Sequence, residues 1–141
     1  MESEAGENNG RGGKILLVDP SANYRELVSL YLGILNYPAP TQAEDGEQAL
    51  NKALSEAPDL IIMEVRLPRL NGFEIVARLR GEPRTRGARI LAATAMAMPG
   101  DRDKCLAGGF DAYLAKPFTL KQLKQVLSCR GAVESRPDDY Y

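Results

Sequence analysis

Four polar residues stand where short apolar runs end. Asp19 follows Ile15 to Val18, Glu64 follows Leu60 to Met63, Thr94 follows Ile90 to Ala93, and Lys116 comes two residues after Leu114. Two carboxylates, a hydroxyl and an ammonium are the groups that phosphoryl chemistry employs: acids for a divalent cation, a hydroxyl to orient an oxygen, a cation to neutralise charge. Each alone has an ordinary explanation. Asp19 fits a helix cap, Thr94 a bond to loop backbone, and Glu64 and Lys116 solvated charges; only their joint occurrence on four strand ends favours a site. The chain has no histidine, which removes the histidine base, the triad and the histidine metal ligand. Cys105 and Cys129 form no CxxC pair and are expected as free thiols.

What brings these residues together must be a set of buried parallel strands. The runs at Ile15 to Val18, Leu60 to Met63 and Ile90 to Ala93 are unbroken and of strand length, the pattern of strands covered on both faces. Phe110 to Leu114 is a fourth, interrupted by Asp111, and Ala39 to Ala43 a fifth, which Pro38 and Pro40 confine to a sheet edge. Between them lie segments of helical period. Leu27, Leu30, Tyr31, Ile34 and Leu35 draw one stripe, and Ala49, Leu50, Ala53, Leu54 and Ala57 another. Ile75, Val76 and Leu79 form a third, Pro99 opens a segment to Ala107, and Leu120, Leu123, Val126 and Leu127 define the last. Thr119 with Gln122 fits a capping box, and Asp45 with Gln48 is close to one. Five strands alternating with five helices predict an α/β fold, a doubly wound five-stranded parallel sheet whose ligands bind beyond the strand carboxyl ends.

At 141 residues the chain holds one core and no second. Residues 1–13 and 130–141 are poor in large apolar side chains and are expected to be flexible tails around a domain at 14–129. A formal net charge of −1 provides no global field for nucleic acid or an anionic membrane. Arginines cluster between Arg78 and Arg102, yet a charge run is usually a solvated surface, and no recognition helix follows. No apolar stretch approaches the roughly 20 residues of a membrane span, so a cytoplasmic protein is expected. A flavin-binding relative of the same topology would need a Ser/Thr-rich phosphate loop after the first strand, which the sequence lacks.

Taken in order, ILLVDPSANYREL from Ile15, EDGEQAL from Glu44, PDLIIMEVRLPRLNGFEI from Pro58, ATA from Ala93 and FDAYLAKPF from Phe110 resemble the receiver domain of two-component response regulators. The resemblance covers about Lys14 to Leu127. It implies a flavodoxin-like sheet with strand order 2-1-3-4-5. It also implies that Asp19 is the first residue of the acidic pair, Thr94 and Tyr113 the switch residues, Lys116 the pocket lysine, and Lys116–Pro117 a cis bond.

Two departures from the family pattern bear on function. Pro20 stands where the second acidic residue is expected, so the metal set shrinks to Asp19 and Glu64, and magnesium is expected to bind weakly or not at all. Glu64 stands where the phosphoacceptor aspartate is expected, its carboxylate one methylene further out, which disturbs in-line geometry. The expectation is therefore a stand-alone pseudo-receiver, not an enzyme, with a degenerate pocket of Asp19, Glu64, Thr94 and Lys116, no catalytic residue and no cofactor. Glu64 would then imitate the phosphorylated state in part. The alternative is a receiver that still accepts a phosphoryl group from a histidine kinase or small phosphodonor with magnesium. Partners are expected to be a histidine kinase or downstream effector meeting the fourth helix, fifth strand and fifth helix, where Met96, Met98, Tyr113 and Phe118 lie near the face; that some of the four complete the core is an equal alternative. The chain itself is expected as a monomer or weak homodimer. A further expectation sets Arg66 or Arg69 against Asp19 or Glu64 in the space of the missing cation, with solvated arginines as the ordinary reading.

Overall fold

A computed structural model describes residues 13–129. The two tails expected at 1–13 and 130–141 lie outside the described residues, apart from Gly13. In chain order the elements are β1 (Ile15–Val18), α1 (Ala22–Ile34), β2 (Thr41–Ala43), α2 (Gly46–Glu56) and β3 (Leu60–Met63). There follow α3 (Gly72–Arg80), β4 (Arg89–Thr94), α4 (Asp101–Ala107), β5 (Ala112–Ala115) and α5 (Leu120–Ser128). All strand pairs are parallel, in the order β2-β1-β3-β4-β5. The register sets Val18 opposite Ala43 and Met63, Met63 opposite Ala92, and Thr94 opposite Ala115. Strand carboxyl ends thus finish nearly level, which is the condition for their next residues to meet.

The sheet has an apolar layer on each face because alternate side chains point opposite ways. Leu16, Val18, Ile61, Met63, Ile90, Ala92 and Tyr113 share one core with Ala49, Leu50 and Ala53 of α2, Ile75, Val76 and Leu79 of α3, and Cys105 of α4. Ile15, Leu17, Leu60, Ile62, Leu91, Ala93, Ala112 and Leu114 share the other with Val28 and Leu32 of α1 and Leu123, Val126 and Leu127 of α5.

Several expected boundaries shift for local reasons. β2 begins at Thr41 and not Ala39, since Pro40 has no N–H for the ladder. β5 begins at Ala112: Asp111 stays outside it, its carboxylate accepting from the Ile90 N–H at 2.8 Å and from Arg80. α4 starts at Asp101 rather than Pro99, because Gly100 takes a left-handed conformation at φ 93. The stripe on α1 is also rotated. Its core side is Val28 and Leu32, flanked by Tyr24, Tyr31 and Leu35, whereas Leu30 is 60% and Ile34 56% exposed. Both sets repeat at spacings of three and four, so periodicity alone could not say which faces inward. Thr119–Gln122 forms its capping box, and Asp45 caps α2, though Gln48 returns its side chain to Glu44 N–H and not to Asp45. Asn71 and Glu74 make a second capping box, on α3.

Three arginines of the cluster are engaged with backbone. Arg80 donates to the carbonyls of Arg86, Ala88 and Gly109, Arg84 to Leu54, and Arg89 to Val126, Leu127 and Cys129 at the end of α5. These bonds tie the segment before β4 to the C-terminal turns of α2 and α5 and to the turn before β5.

Two glycines allow the loop from β3 to α3 to pack. A Cβ on Gly46 would lie 1.9 Å from the Leu70 carbonyl oxygen, and one on Gly72 2.9 Å from the Val65 Cα. Gly33, on α1, faces open space. We therefore expect Gly46→Ala to destabilise by at least about 1–3 kcal/mol through overpacking. Gly33→Ala should stabilise by about 0.5–1 kcal/mol through helix propensity. Urea unfolding of both variants, showing opposite signs, checks the pair.

Candidate functional site

The backbone ladder continues past the strands and fixes the residues that follow them. Asp19 N–H donates to Ala43 carbonyl at 3.1 Å, Glu64 N–H to Val18 carbonyl at 2.9 Å, and Lys116 N–H to Thr94 carbonyl at 2.9 Å. Asp19, Glu64, Thr94 and Lys116 are brought together as the strand-end argument expects. Asp19 and Glu64 are each only 5% exposed and Thr94 is fully enclosed. Lys116 and Pro117 are joined by a cis peptide bond.

Every acceptor position on Glu64 is in use. Its Oε2 accepts from the Thr94 hydroxyl and, at 3.0 Å, from the Arg66 backbone N–H. Its Oε1 accepts from the Ala95 backbone N–H at 3.2 Å and pairs with Lys116 Nζ at 3.0 Å. Burial alone would push this carboxyl upward, but the bonds from Thr94, Arg66 and Lys116 outweigh it, so Glu64 stays below the usual glutamate range. Asp19 is committed too. Its Oδ1 accepts from Ser21 N–H at 2.9 Å and its Oδ2 from Lys116 Nζ at 2.6 Å. Burial would lower the Lys116 ammonium, yet bonds to Asp19 and Glu64 prevail and raise it above the ordinary lysine value.

A chain of hydrogen bonds leads from the acid to the fifth strand. Thr94 Oγ1 donates to Glu64 and accepts from Met96 N–H at 3.1 Å, while the Met96 carbonyl accepts from the Tyr113 hydroxyl. Tyr113 is accordingly buried, its ring within the core beside α3 and α4. Of the four residues expected near the contact face, Tyr113 and Phe118 complete the core. Met98 is 70% exposed and Met96 half-buried, but Phe118 belongs to the opposite core, packed against Tyr24 and Tyr31. That direction is one no spacing rule reveals.

Neither loop arginine enters the pocket. Arg66 is exposed and contributes only its backbone N–H, and Arg69 lies 3.5 Å from both Asp45 and Glu47. Lys116 already spans both acids, so an arginine there would add a charge without a partner. Sequence reasoning missed two participants, the N–H groups of Arg66 and Ala95, because backbone donors carry no residue signature. It also missed the Tyr24 ring, centred 4.3 Å from Lys116 Nζ. Its place one helical turn after Ser21 at the start of α1 was the available clue. Of the two cysteines, Cys105 is buried and its thiol is pushed up to about 11 by burial, while Cys129 is exposed; both are free.

The family model for the response regulator receiver domain matches residues 15–128. This chain belongs to that family. Among relatives, the receiver is 36% identical over 114 residues to the sensor histidine kinase RcsC of Salmonella typhi, covering 81% of this chain and 12% of that kinase's length. Among solved structures it resembles chemotaxis response regulator CheY4 of Vibrio cholerae, at 34% identity and TM-score 0.74 over 81% of this chain and 94% of that one. It also resembles the receiver domain of a sensor histidine kinase from Pseudomonas aeruginosa PAO1, at 37% identity and TM-score 0.74, covering 82% and 94%. That structure carries a magnesium ion in its active site cleft. The strand order that the resemblance implies, 2-1-3-4-5, is the order observed. No helix among the described residues is long and apolar enough to cross a membrane.

The ion pairs give the receiver a defined pH response. Glu64 is held low in the folded chain, so its stabilisation is complete above about 4.3, the unfolded value, and is lost as pH falls through the depressed folded value. Lys116 behaves oppositely: its stabilisation is complete below about 10.4 and is lost as pH rises through its raised folded value. Glu64→Gln should therefore flatten the acid limb of a stability profile. Lys116→Ala, leaving two buried acids without a cation, should cost about 3 kcal/mol at neutral pH. Denaturant unfolding across pH measures both.

Proposed function

We propose that this receiver acts in two-component signalling by protein contact, without a cycle of aspartyl phosphate, and that Glu64 stands in for part of the phosphorylated state. The observation that carries the reading is the complete occupancy of the Glu64 carboxylate by the Thr94 hydroxyl, the Lys116 ammonium and the N–H groups of Arg66 and Ala95. Those are the groups a phosphoryl oxygen would require, and a side chain of the protein already holds them. An incoming phosphoryl group would have to displace a buried anion from its partners, which costs the full desolvation of whatever is left unpaired.

The metal set supports the same reading. Pro20 has no side-chain oxygen, both Asp19 oxygens carry donors, and both Glu64 oxygens carry two. Among the described residues no cluster of three or more His, Cys, Asp or Glu side chains is placed to hold a metal. These residues do not fit a magnesium ion, and we assign the neutralising role to Lys116.

Imitation of the modified state rests on Thr94 and Tyr113. The Thr94 hydroxyl is drawn onto Glu64, and the Tyr113 ring is turned inward with its hydroxyl on Met96. Glutamate supplies one negative charge where a phosphoryl group brings nearly two, so the imitation is partial. The partner we propose is a histidine kinase or downstream effector meeting α4, β5 and α5, with the exposed Met98 nearby.

Exposure to acetyl phosphate and magnesium, read by intact mass, tests the reading. The wild-type chain and Glu64→Asp should remain unmodified, and the pair Glu64→Asp with Pro20→Asp should gain one phosphoryl group. A wild-type chain that gains one, or a single Glu64→Asp change that labels fully, contradicts it. Separately, Thr94→Ala cuts the bond chain, and a fluorotyrosine signal at Tyr113 should move toward a solvent-exposed value. An unchanged signal shows that Tyr113 does not depend on Glu64.

A further inference from the structure

The ammonium of Lys116 has three N–H bonds to place. Asp19 Oδ2 at 2.6 Å and Glu64 Oε1 at 3.0 Å take two directions. On the remaining side the ring of Tyr24 lies with its centroid 4.3 Å from Nζ, within the range at which an aromatic face attracts a cation. The same ring packs on Phe118 at 5.6 Å, with planes tilted by 58°, so α1 and the segment after β5 grip it from behind.

We infer that Tyr24 is a positioning residue for Lys116: its ring face closes the third side of the ammonium and holds it between Asp19 and Glu64 in the place a divalent cation would take. The inference rests on the reading of the pocket as self-contained and adds the residue that seals it from the α1 side.

The hydroxyl of Tyr24 separates the ring's role from that of an ordinary buried tyrosine. It is enclosed with no hydrogen-bond partner. Burial pushes the phenol up, and the nearby Phe118 backbone tempers the rise. An enclosed, unpaired hydroxyl is a cost, so the contribution of this side chain to the pocket comes from its ring and not from that group. A phenylalanine would present the same face to the lysine without the cost. Leucine or methionine would fill the space and present no quadrupole.

Acylation of lysines by acetic anhydride, followed by peptide mass mapping, reads how often Lys116 leaves its site. The exposed Lys121 and Lys124 serve as internal references. Wild type and Tyr24→Phe should label Lys116 equally slowly, and Tyr24→Leu should raise its relative rate by about tenfold. Tyr31→Leu is the control for packing alone. Tyr31 also meets Phe118, at 6.5 Å, so its loss should loosen the aromatic cluster and leave Lys116 protected. Should Tyr24→Leu unfold, Tyr24→Met supplies the same reading with a more adaptable side chain.

An unchanged Lys116 rate in the leucine or methionine variant overturns the inference. So does a Tyr24→Phe rate as high as theirs, or a Tyr31→Leu rate equal to that of Tyr24→Leu. No phosphodonor enters this experiment. A wild-type chain that accepts phosphate would therefore sink the proposed function and leave the labelling result to be judged by itself.

Discussion

A carboxylate taken out of water at the end of β3 must recover from the protein what water supplied. Glu64 does so through donors that come from four different places: a hydroxyl on β4, two backbone N–H groups in separate loops, and an ammonium after β5. Buried anions are tolerated only when so compensated. The consequence is a reciprocal constraint. Because Glu64 requires all of them, the loops after β3, β4 and β5 are fixed relative to one another by a single side chain.

That constraint spreads outward through contacts of ordinary strength. Thr94 passes the position of the acid to the Met96 segment, and Met96 passes it to Tyr113. Asp19 divides its oxygens between the start of α1 and Lys116. Gly46 and Gly72 let the loop carrying the Arg66 donor lie flat against its neighbours. Tyr113 on β5 is thereby coupled to an acid at the end of β3 by bonds of a kind that one methylene can break. Coupling here means geometric dependence between neighbouring groups; on the proposed reading, a fixed acid makes it permanent where a labile phosphate would make it conditional.

Much of this was legible in the residues. Unbroken apolar runs at Ile15, Leu60 and Ile90 announce strands covered on both faces. The rule that ligands sit beyond strand carboxyl ends then selects Asp19, Glu64, Thr94 and Lys116 before any contact is seen. The illegible parts have physical reasons. Backbone donors such as the Ala95 N–H look the same in every sequence. The rotation of α1 was ambiguous because Leu27, Leu30 and Ile34 compete with Tyr24, Val28 and Leu32 at the same period, and tertiary packing decided between them. Phe118 completes the core beside α1 and α5, a direction the sequence does not give because a residue just beyond a strand has no alternation to follow. The arginines suggested a pairing with the acids that Lys116 had already made.

The most direct measurement follows the backbone amide signals of Arg66 and Ala95 while beryllofluoride and magnesium are added to the wild-type chain. If Glu64 keeps both donors, neither resonance shifts in a saturable way at concentrations that occupy an unaltered acidic pocket. Saturable movement of both signals, with the Thr94 amide following, would show that the donors are free to be taken, and the account of Glu64 as the pocket's permanent occupant would be wrong.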